Sequence, residues 1–222
     1  MNIPHWEERF RKFLIDECNH YDDGAHGLAH IQRVVASSKR LTKLEGADSN
    51  IVIPAAWLHD CIVVPKNHPD RSKASQMAAE KAAGFLRRSG YQEKYIHPIS
   101  HAICAHSYSA GIQPETIEAK IVQDADRLDA LGAIGIARCM MVGGAIGRPI
   151  YNTDDPFCDY RAPDDQSWTI DHFYQKLFKL PESMNTKSAK IEARSRVALM
   201  ENFLDEMKSE ITMDDSLNHQ MT

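Results

Sequence analysis

Three short segments of the chain combine histidine and aspartate in an order that could bind a metal ion. They are His30-Ile-Gln-Arg-Val, Trp-Leu-His59-Asp60, and Gln-Asp-Ala-Asp126-Arg-Leu-Asp. Neutral imidazoles and carboxylates suit a hard or borderline divalent cation, and two of each leave coordination positions for water or substrate. The segments therefore predict one divalent metal ion, for which Mn, Mg, Co, Ni, Fe and Zn are all compatible. The proposed ligands are His30, His59, Asp60 and Asp126.

His59 and Asp60 are the most informative pair because they are neighbours in the chain. Adjacent side chains on a helix diverge by ~100°, so they share one ion only at a helix end or in a splayed turn. Segment 62–71, which contains two prolines, follows directly and predicts such an end. A His-Asp pair alone is typical of a solvated helix end, since short motifs match by chance. The presence of all three segments favours a metal site.

The order His, then His-Asp, then Asp resembles that of the HD-domain superfamily of metal-dependent phosphohydrolases. More closely, the chain is similar to the small bacterial YedJ/YpgQ-like group. That group also carries Val-Pro-Lys-Asn, Ala-His-Ser-Tyr-Ser-Ala-Gly and a long motif that begins Gln-Asp-Ala-Asp-Arg-Leu-Asp, found here at 64–67, 105–111 and 123–138. The resemblance covers residues 6–207 and implies an HD fold with the same four ligands.

Further polar side chains lie near the proposed ligands in the sequence. His26 is four residues before His30 and shares its helical face if both are helical. It is a candidate to support a ligand or to contact a substrate phosphate, with a capping or surface histidine as the alternative. Asp129 is three residues after Asp126, and we expect it to orient a ligand histidine or the attacking water. Asp124 is expected to face away from the site.

Three histidines between the His-Asp pair and the final aspartate bear on a second metal, because some HD proteins use such residues for one. His97 and His101 share a helical face, but His106 lies ~140° from His101 on an ideal helix. The three therefore form no single ligand set, and we expect one ion. His101 or His106 is a candidate for contact with substrate, with plain packing as the alternative.

The resemblance implies that a metal-activated water cleaves a phosphoester or phosphoanhydride bond, and cations would stabilise the charge on the phosphoryl oxygens. We expect Lys66, in the loop after the His-Asp pair, to bind the phosphate and to assist catalysis with Asp60 and Asp129. For the other candidate cations a solvated surface charge is an equal alternative. They are Arg127, Arg148 and Lys187.

The elements that must position these residues are helices, because apolar residues recur at helical spacing and period-two alternation is rare. The fold class is predicted to be all-α, an HD-domain helical bundle with a C-terminal helical extension. The predicted helices cover about 3–20, 26–44, 48–61, 72–89, 92–107, 114–142, 168–180 and 186–210.

We expect residues 1–210 to form a single domain, with its core in 20–142 and C-terminal helices in 168–210. Between them, 143–167 is rich in Gly, Pro and Asp and too long for a mere connector, which predicts a lid or binding loop. Residues 211–222 are predicted to be a disordered tail.

Composition limits the function classes. With 26 basic and 31 acidic residues the formal charge is −5, and no long basic cluster is present, which argues against nucleic-acid polymers and membranes as partners. The five cysteines form no Cys-x-x-Cys pair, and the N-terminus has no leader pattern, so a cytoplasmic protein is expected.

The expected partner is a small phosphorylated substrate, and within the resemblance this is a nucleotide mono- or triphosphate. Two alternatives stay open: a non-catalytic module that binds nucleotide or metal, and a dinuclear-iron oxygenase on the same scaffold. The apolar helices also leave a homodimer open.

Overall fold

The structure, a computed structural model, describes residues 2–18, 27–62, 64, 68–107 and 110–212. All regular elements within these residues are helical, which confirms the all-α prediction. Two 3-10 helices, Arg71–Lys73 and Leu177–Ser183, accompany the α-helices. The α-helices are α1 Ile3–Cys18, α2 Leu28–Glu45, α3 Ser49–Leu58, α4 Ala74–Arg88, α5 Glu93–His106, α6 Ile117–Leu128, α7 Gly132–Ala145, α8 Asp171–Gln175 and α9 Lys187–Thr212.

The chain divides into two compact units. The first comprises Met1–Asp129 and Met184–Ile191, and the second comprises Ala130–Ser183 and Glu192–Thr222. The single domain over 1–210 and the lid over 143–167 stay predictions, and residues 213–222 of the expected tail lie outside the described residues.

Helix α3 lies at the centre of the first unit, and seven consecutive residues from Val52 to Leu58 are buried. Asp48 caps its N-terminus by accepting a hydrogen bond from the backbone N–H of Asn50 at 2.8 Å. Pro54 lies in the interior of this helix. Because proline has no N–H, the carbonyl of Asn50 is left without its helical donor. The Tyr91 hydroxyl donates to that carbonyl instead, at 2.6 Å.

The prediction of one helix over 114–142 is wrong, because α6 ends at Leu128 and α7 begins at Gly132. Leu131 is extended (φ −118°, ψ 162°), and Gly132 has φ +72°, in the left-handed region that favours glycine. Helical spacing of apolar residues continues across the break, so the pattern alone did not reveal it.

Helix α7 packs within the second unit through its glycines. Gly135 and Gly143 are buried, and a Cβ at Gly143 would lie 2.3 Å from the Thr169 hydroxyl oxygen. In the same unit Arg161 binds the fully buried Asp171 through two hydrogen bonds. The predicted helix over 168–180 is wrong, since the helical part is the short α8, followed by the 3-10 helix.

In the described part of the chain, no single helix has the length and apolar character needed to span a membrane. The bent pair α6 and α7 meets the length and composition criteria only when the two are taken together.

Candidate metal centre

Three helices of the first unit bring the predicted ligands together. His30 lies in the first turn of α2, His59 and Asp60 form the turn that directly follows α3, and Asp126 lies near the end of α6. The predicted third helix reached Cys61, but it ends at Leu58. The turn lets adjacent side chains approach the same point, as their shared role requires.

The ligand atoms lie close to one another. His30 Nε2 is 3.3 Å from Asp126 Oδ1 and 3.8 Å from Asp60 Oδ2. His59 Nε2 is 3.5 Å from Asp60 Oδ2, 3.9 Å from Asp126 Oδ1 and 3.4 Å from His30 Nε2. Both histidines are buried, whereas the two carboxylates are each more than a quarter exposed. The carboxylates therefore lie on the side of the site that solvent reaches.

Each histidine is oriented through its Nδ1 atom. His30 Nδ1 donates to Asp129 Oδ2 at 2.7 Å, and His59 Nδ1 donates to the carbonyl of Ala56 at 2.8 Å. These acceptors assign the Nδ1 proton and turn the Nε2 atoms towards the carboxylates, as is usual for metal-ligating histidines.

The residues fit a divalent cation. His30, His59 and Asp60 offer ligand atoms that all lie within 4.8 Å of one another. The two Nε2 atoms face each other at 3.4 Å, and two ring lone pairs repel each other unless a cation lies between them. A proton on His30 Nε2 removes this repulsion. A divalent ion bound to both nitrogen atoms would also remove it.

The pKa values of the site agree with a protonated His30. Burial lowers the pKa of His30, but hydrogen bonds to Asp126 and Asp129 outweigh it and raise the pKa to about 9. Burial raises the pKa of Asp126, but His30 outweighs it and lowers the value to about 2. Asp60 behaves in the same way, with its pKa lowered by His59 and His106 against the effect of burial. Burial lowers the pKa of His59.

The structure also places His106 at this cluster. Its Nε2 lies 3.4 Å from Asp60 Oδ1, and its Nδ1 donates to the Ile103 carbonyl at 2.6 Å. Burial lowers its pKa, but the hydrogen bond with Asp60 outweighs this and raises it. His101 is elsewhere, since its Nε2 accepts from the backbone N–H of Glu115 at 3.1 Å.

The remaining candidates belong to several different elements. Arg127 is half-buried on α6, and Lys187 is exposed at the start of α9. Arg148 belongs to the second unit, where its Nε is buried. His26 and Lys66 lie outside the described residues.

Arg33 was not among the predicted site residues, yet one edge of its guanidinium binds Asp129 through two hydrogen bonds. Its Nε donates to Oδ1 at 2.7 Å and its Nη2 donates to Oδ2 at 3.0 Å. The spacing of three residues from His30 placed Arg33 on the same helical face, but only the contact with Asp129, 96 residues away, gives it a role.

Comparison with known proteins shows to which family this chain is similar. A family model described as HD domain matches residues 27–131. YpgQ, an uncharacterised protein of Bacillus subtilis strain 168, is 33% identical over 190 residues, which is 86% of each chain.

Solved structures show the same likeness. A crystal structure of an HD-superfamily hydrolase from Bacillus thuringiensis aligns at a TM-score of 0.74 with 34% identity, over 95% of this chain and 99% of that one. Bacillus subtilis YpgQ in complex with ADP aligns at 0.71 with 29% identity, over 95% and 97%. The likeness extends over nearly the whole chain and includes the segment that carries all four proposed ligands, so this protein belongs to the HD superfamily.

Proposed function

We propose that this protein is a metal-dependent phosphohydrolase that cleaves a phosphoester or phosphoanhydride bond of a nucleotide. The observation that carries the proposal is the convergence of His30, His59, Asp60 and Asp126 from three helices, with the Nδ1 atoms of both histidines held by acceptors. Two relatives add support: one is described as a hydrolase, and another was crystallised with ADP.

One divalent ion held by these four residues would activate a water and polarise a phosphoryl oxygen. Asp60 presents Oδ2 to the histidine ligands and Oδ1 to His106. It thereby joins the proposed metal position to a third imidazole, that of His106. Since His106 has a raised pKa, it is suited to carry a proton and to face the negative charge of a phosphate.

The other proposed roles follow from position and charge. Lys66 remains our candidate for the phosphate contact and for assistance to catalysis, and Asp129 orients His30. His26, His101, Arg127, Arg148 and Lys187 remain proposed substrate contacts. Of these, His101 has the weakest support, because its Nε2 already accepts a backbone hydrogen bond.

The test measures phosphate and pyrophosphate release over a panel of nucleoside mono-, di- and triphosphates with Mn, Mg, Co or Ni. We expect turnover with at least one metal, and we expect Asp126→Asn to lower it by at least ~100-fold because a ligand charge is lost. Asp205→Asn makes the same change at an exposed position of α9 and should leave turnover unchanged.

Full activity of Asp126→Asn, or no turnover of any nucleotide, would contradict the proposal. Tight nucleotide binding without turnover would favour the non-catalytic module. Two iron ions per chain in protein purified without chelator would favour the oxygenase, which needs a second ion near His106.

The cellular location, the substrate class and the oligomeric state are also proposals. The cysteine pattern and the acidic composition fit the reducing cytoplasm and a small-molecule substrate rather than a nucleic-acid polymer. A homodimer remains a prediction that sedimentation velocity would test.

A further inference from the structure

Two residues of α2 and two from the end of α6 form two neighbouring pairs of polar contacts. His30 and Arg33 are three residues apart on one helix, and Asp126 and Asp129 are three residues apart in the facing segment. Residues at this spacing lie on one helical face. The first pair is His30 and Asp126 at 3.3 Å, and the second pair is Arg33 and Asp129 at 2.7 and 3.0 Å.

A third contact, between His30 and Asp129, connects the two pairs. Asp129 Oδ2, which accepts from Arg33 Nη2, also accepts from His30 Nδ1 at 2.7 Å. Two parallel N–H bonds from a guanidinium fix both the position and the plane of a carboxylate, which a single ammonium cannot do. Arg33 therefore determines where Oδ2 lies, and Oδ2 determines how the imidazole of His30 is turned.

This contact differs from an ordinary surface ion pair. Exposed pairs contribute little, because solvent screens them and both side chains lose freedom. Here the Asp129 side chain is 3% exposed, whereas the Arg33 side chain is 34% exposed. Arg33 therefore donates to a buried carboxylate, Asp129, which also accepts a hydrogen bond from His30.

We propose that Arg33 is a positioning residue that orients His30 for metal binding by holding the carboxylate of Asp129. The proposal rests on the proposed function only in that it takes His30 as a metal ligand. Arg33 acts on the metal through two other side chains, so its loss should weaken metal binding rather than substrate binding. Loss of such supporting contacts typically costs 10–100-fold in metal affinity.

The primary test is Mn²⁺ affinity, read from the EPR signal of free Mn²⁺, for wild type, Arg33→Lys and Arg33→Gln. We expect the dissociation constant to rise by ~10–100-fold in both variants, since lysine keeps the charge but cannot hold the plane. Arg40→Gln removes an exposed arginine of the same helix and should leave Mn²⁺ affinity unchanged. Circular dichroism melting shows whether each variant is folded.

Two further measurements separate positioning from other roles. Arg33→Gln combined with Asp129→Asn should bind Mn²⁺ no more weakly than Asp129→Asn alone, because both changes break one pathway. In NMR spectra, the hydrogen-bonded Nδ1 proton of His30 should shift in Arg33→Lys while the protein remains folded. At saturating Mn²⁺, KM for the nucleotide should stay within about twofold of wild type, as expected of a residue that does not touch substrate.

Unchanged Mn²⁺ affinity in Arg33→Lys and Arg33→Gln would overturn the proposal, as would additive effects in the double variant. A raised KM at saturating Mn²⁺ would also overturn it, because it would make Arg33 a substrate contact. Mn²⁺ binding by wild type without nucleotide turnover would remove the proposed function but leave the role of Arg33. Absence of Mn²⁺ binding would remove both.

Discussion

His30 is the proposed metal ligand at which a proton and a metal ion would compete. Its pKa of about 9 means that it is protonated at neutral pH, and its Nε2 lies 3.3 Å from Asp126 Oδ1. A metal ligand must be the neutral imidazole. Metal binding at pH 7 therefore has to release this proton, which weakens the observed affinity.

The first prediction is that Mn²⁺ affinity rises with pH between 6 and 8. The pKa of His30 is raised, so the proton is lost only as pH approaches 9, and each unit of pH should tighten binding by up to ~10-fold. Asp126 keeps its charge over this range because its pKa is about 2. Isothermal titration calorimetry in two buffers of different ionisation enthalpy should report about one proton released per ion at pH 7.

The exposed His97 provides a control for this measurement. His97→Gln should reproduce the wild-type pH dependence. An affinity that is independent of both pH and buffer would show that His30 is neutral in the free protein, contrary to the prediction.

At the scale of elements, α6 connects the parts of the first unit. Gln123 donates to the carbonyl of Ala105 at 2.7 Å, beside His106 at the end of α5. Asp124 is fully buried and accepts hydrogen bonds from the backbone and side chains of Asn185 and Thr186, at 2.8–2.9 Å. Asp124 therefore anchors α6 to the segment before α9, whereas Asp126 and Asp129 both contact His30.

We predict that Asp124→Ala destabilises the protein by about 2–4 kcal/mol, because it leaves several buried donors of Asn185 and Thr186 without their acceptor. Urea unfolding followed by circular dichroism measures the change. Asp16→Ala, at an exposed position of α1, should change the free energy of unfolding by less than about 0.5 kcal/mol. Similar values for the two variants would contradict the anchoring role of Asp124.

Helix α7 offers a comparison between adjacent glycines. A Cβ at Gly143 would lie 2.3, 2.7 and 3.1 Å from three side-chain atoms of Thr169, whereas a Cβ at Gly144 has no atom within 4 Å. Because threonine is branched at Cβ, it cannot turn all three atoms away. The clash must therefore be relieved by movement of the backbone.

We predict that Gly143→Ala lowers the free energy of unfolding by about 1–3 kcal/mol through overpacking. Gly144→Ala should be neutral or stabilising by up to ~1 kcal/mol, since alanine favours the helix. Thermal melting of both variants provides the measurement. Equal melting temperatures would mean that Thr169 does not pack against Gly143 as described.

At the scale of the whole molecule, an ion at the proposed site would join residues from α2, α6 and the turn after α3, so its binding should couple to stability. An ion that binds only the folded state at 100 times its dissociation constant adds about 2.7 kcal/mol. For a chain of this length we expect Mn²⁺ to raise Tm by roughly 5–10 °C. Differential scanning fluorimetry should show the shift in wild type, its reversal by chelator, and its loss in Asp126→Asn. An equal shift in that variant would place the ion elsewhere.

The net charge of −5 includes the carboxylates of the proposed metal site. Asp60 and Asp126 contribute to the acidic excess, and a bound cation would cancel their charge. An acidic protein can therefore present an anion-binding site where its ion is held.

Local spacing in the sequence determined the helical class, because helical periodicity depends on residues within a few turns of each other. The order of the three motifs can be read directly along the chain. The His59-Asp60 adjacency also predicted a helix end, and the structure places both residues in a turn after α3. The break after α6 escaped prediction, since apolar spacing continues through it and one backbone angle at Gly132 decides it.

Only the tertiary structure decided which side chains meet. Arg33 and Asp129 are 96 residues apart, and Asp124 lies 61 residues from Asn185. Such pairings depend on how helices pack, and helical periodicity identifies a face without identifying its partner. Thus the sequence determined which residues could bind a metal, and packing decided which side chains orient them.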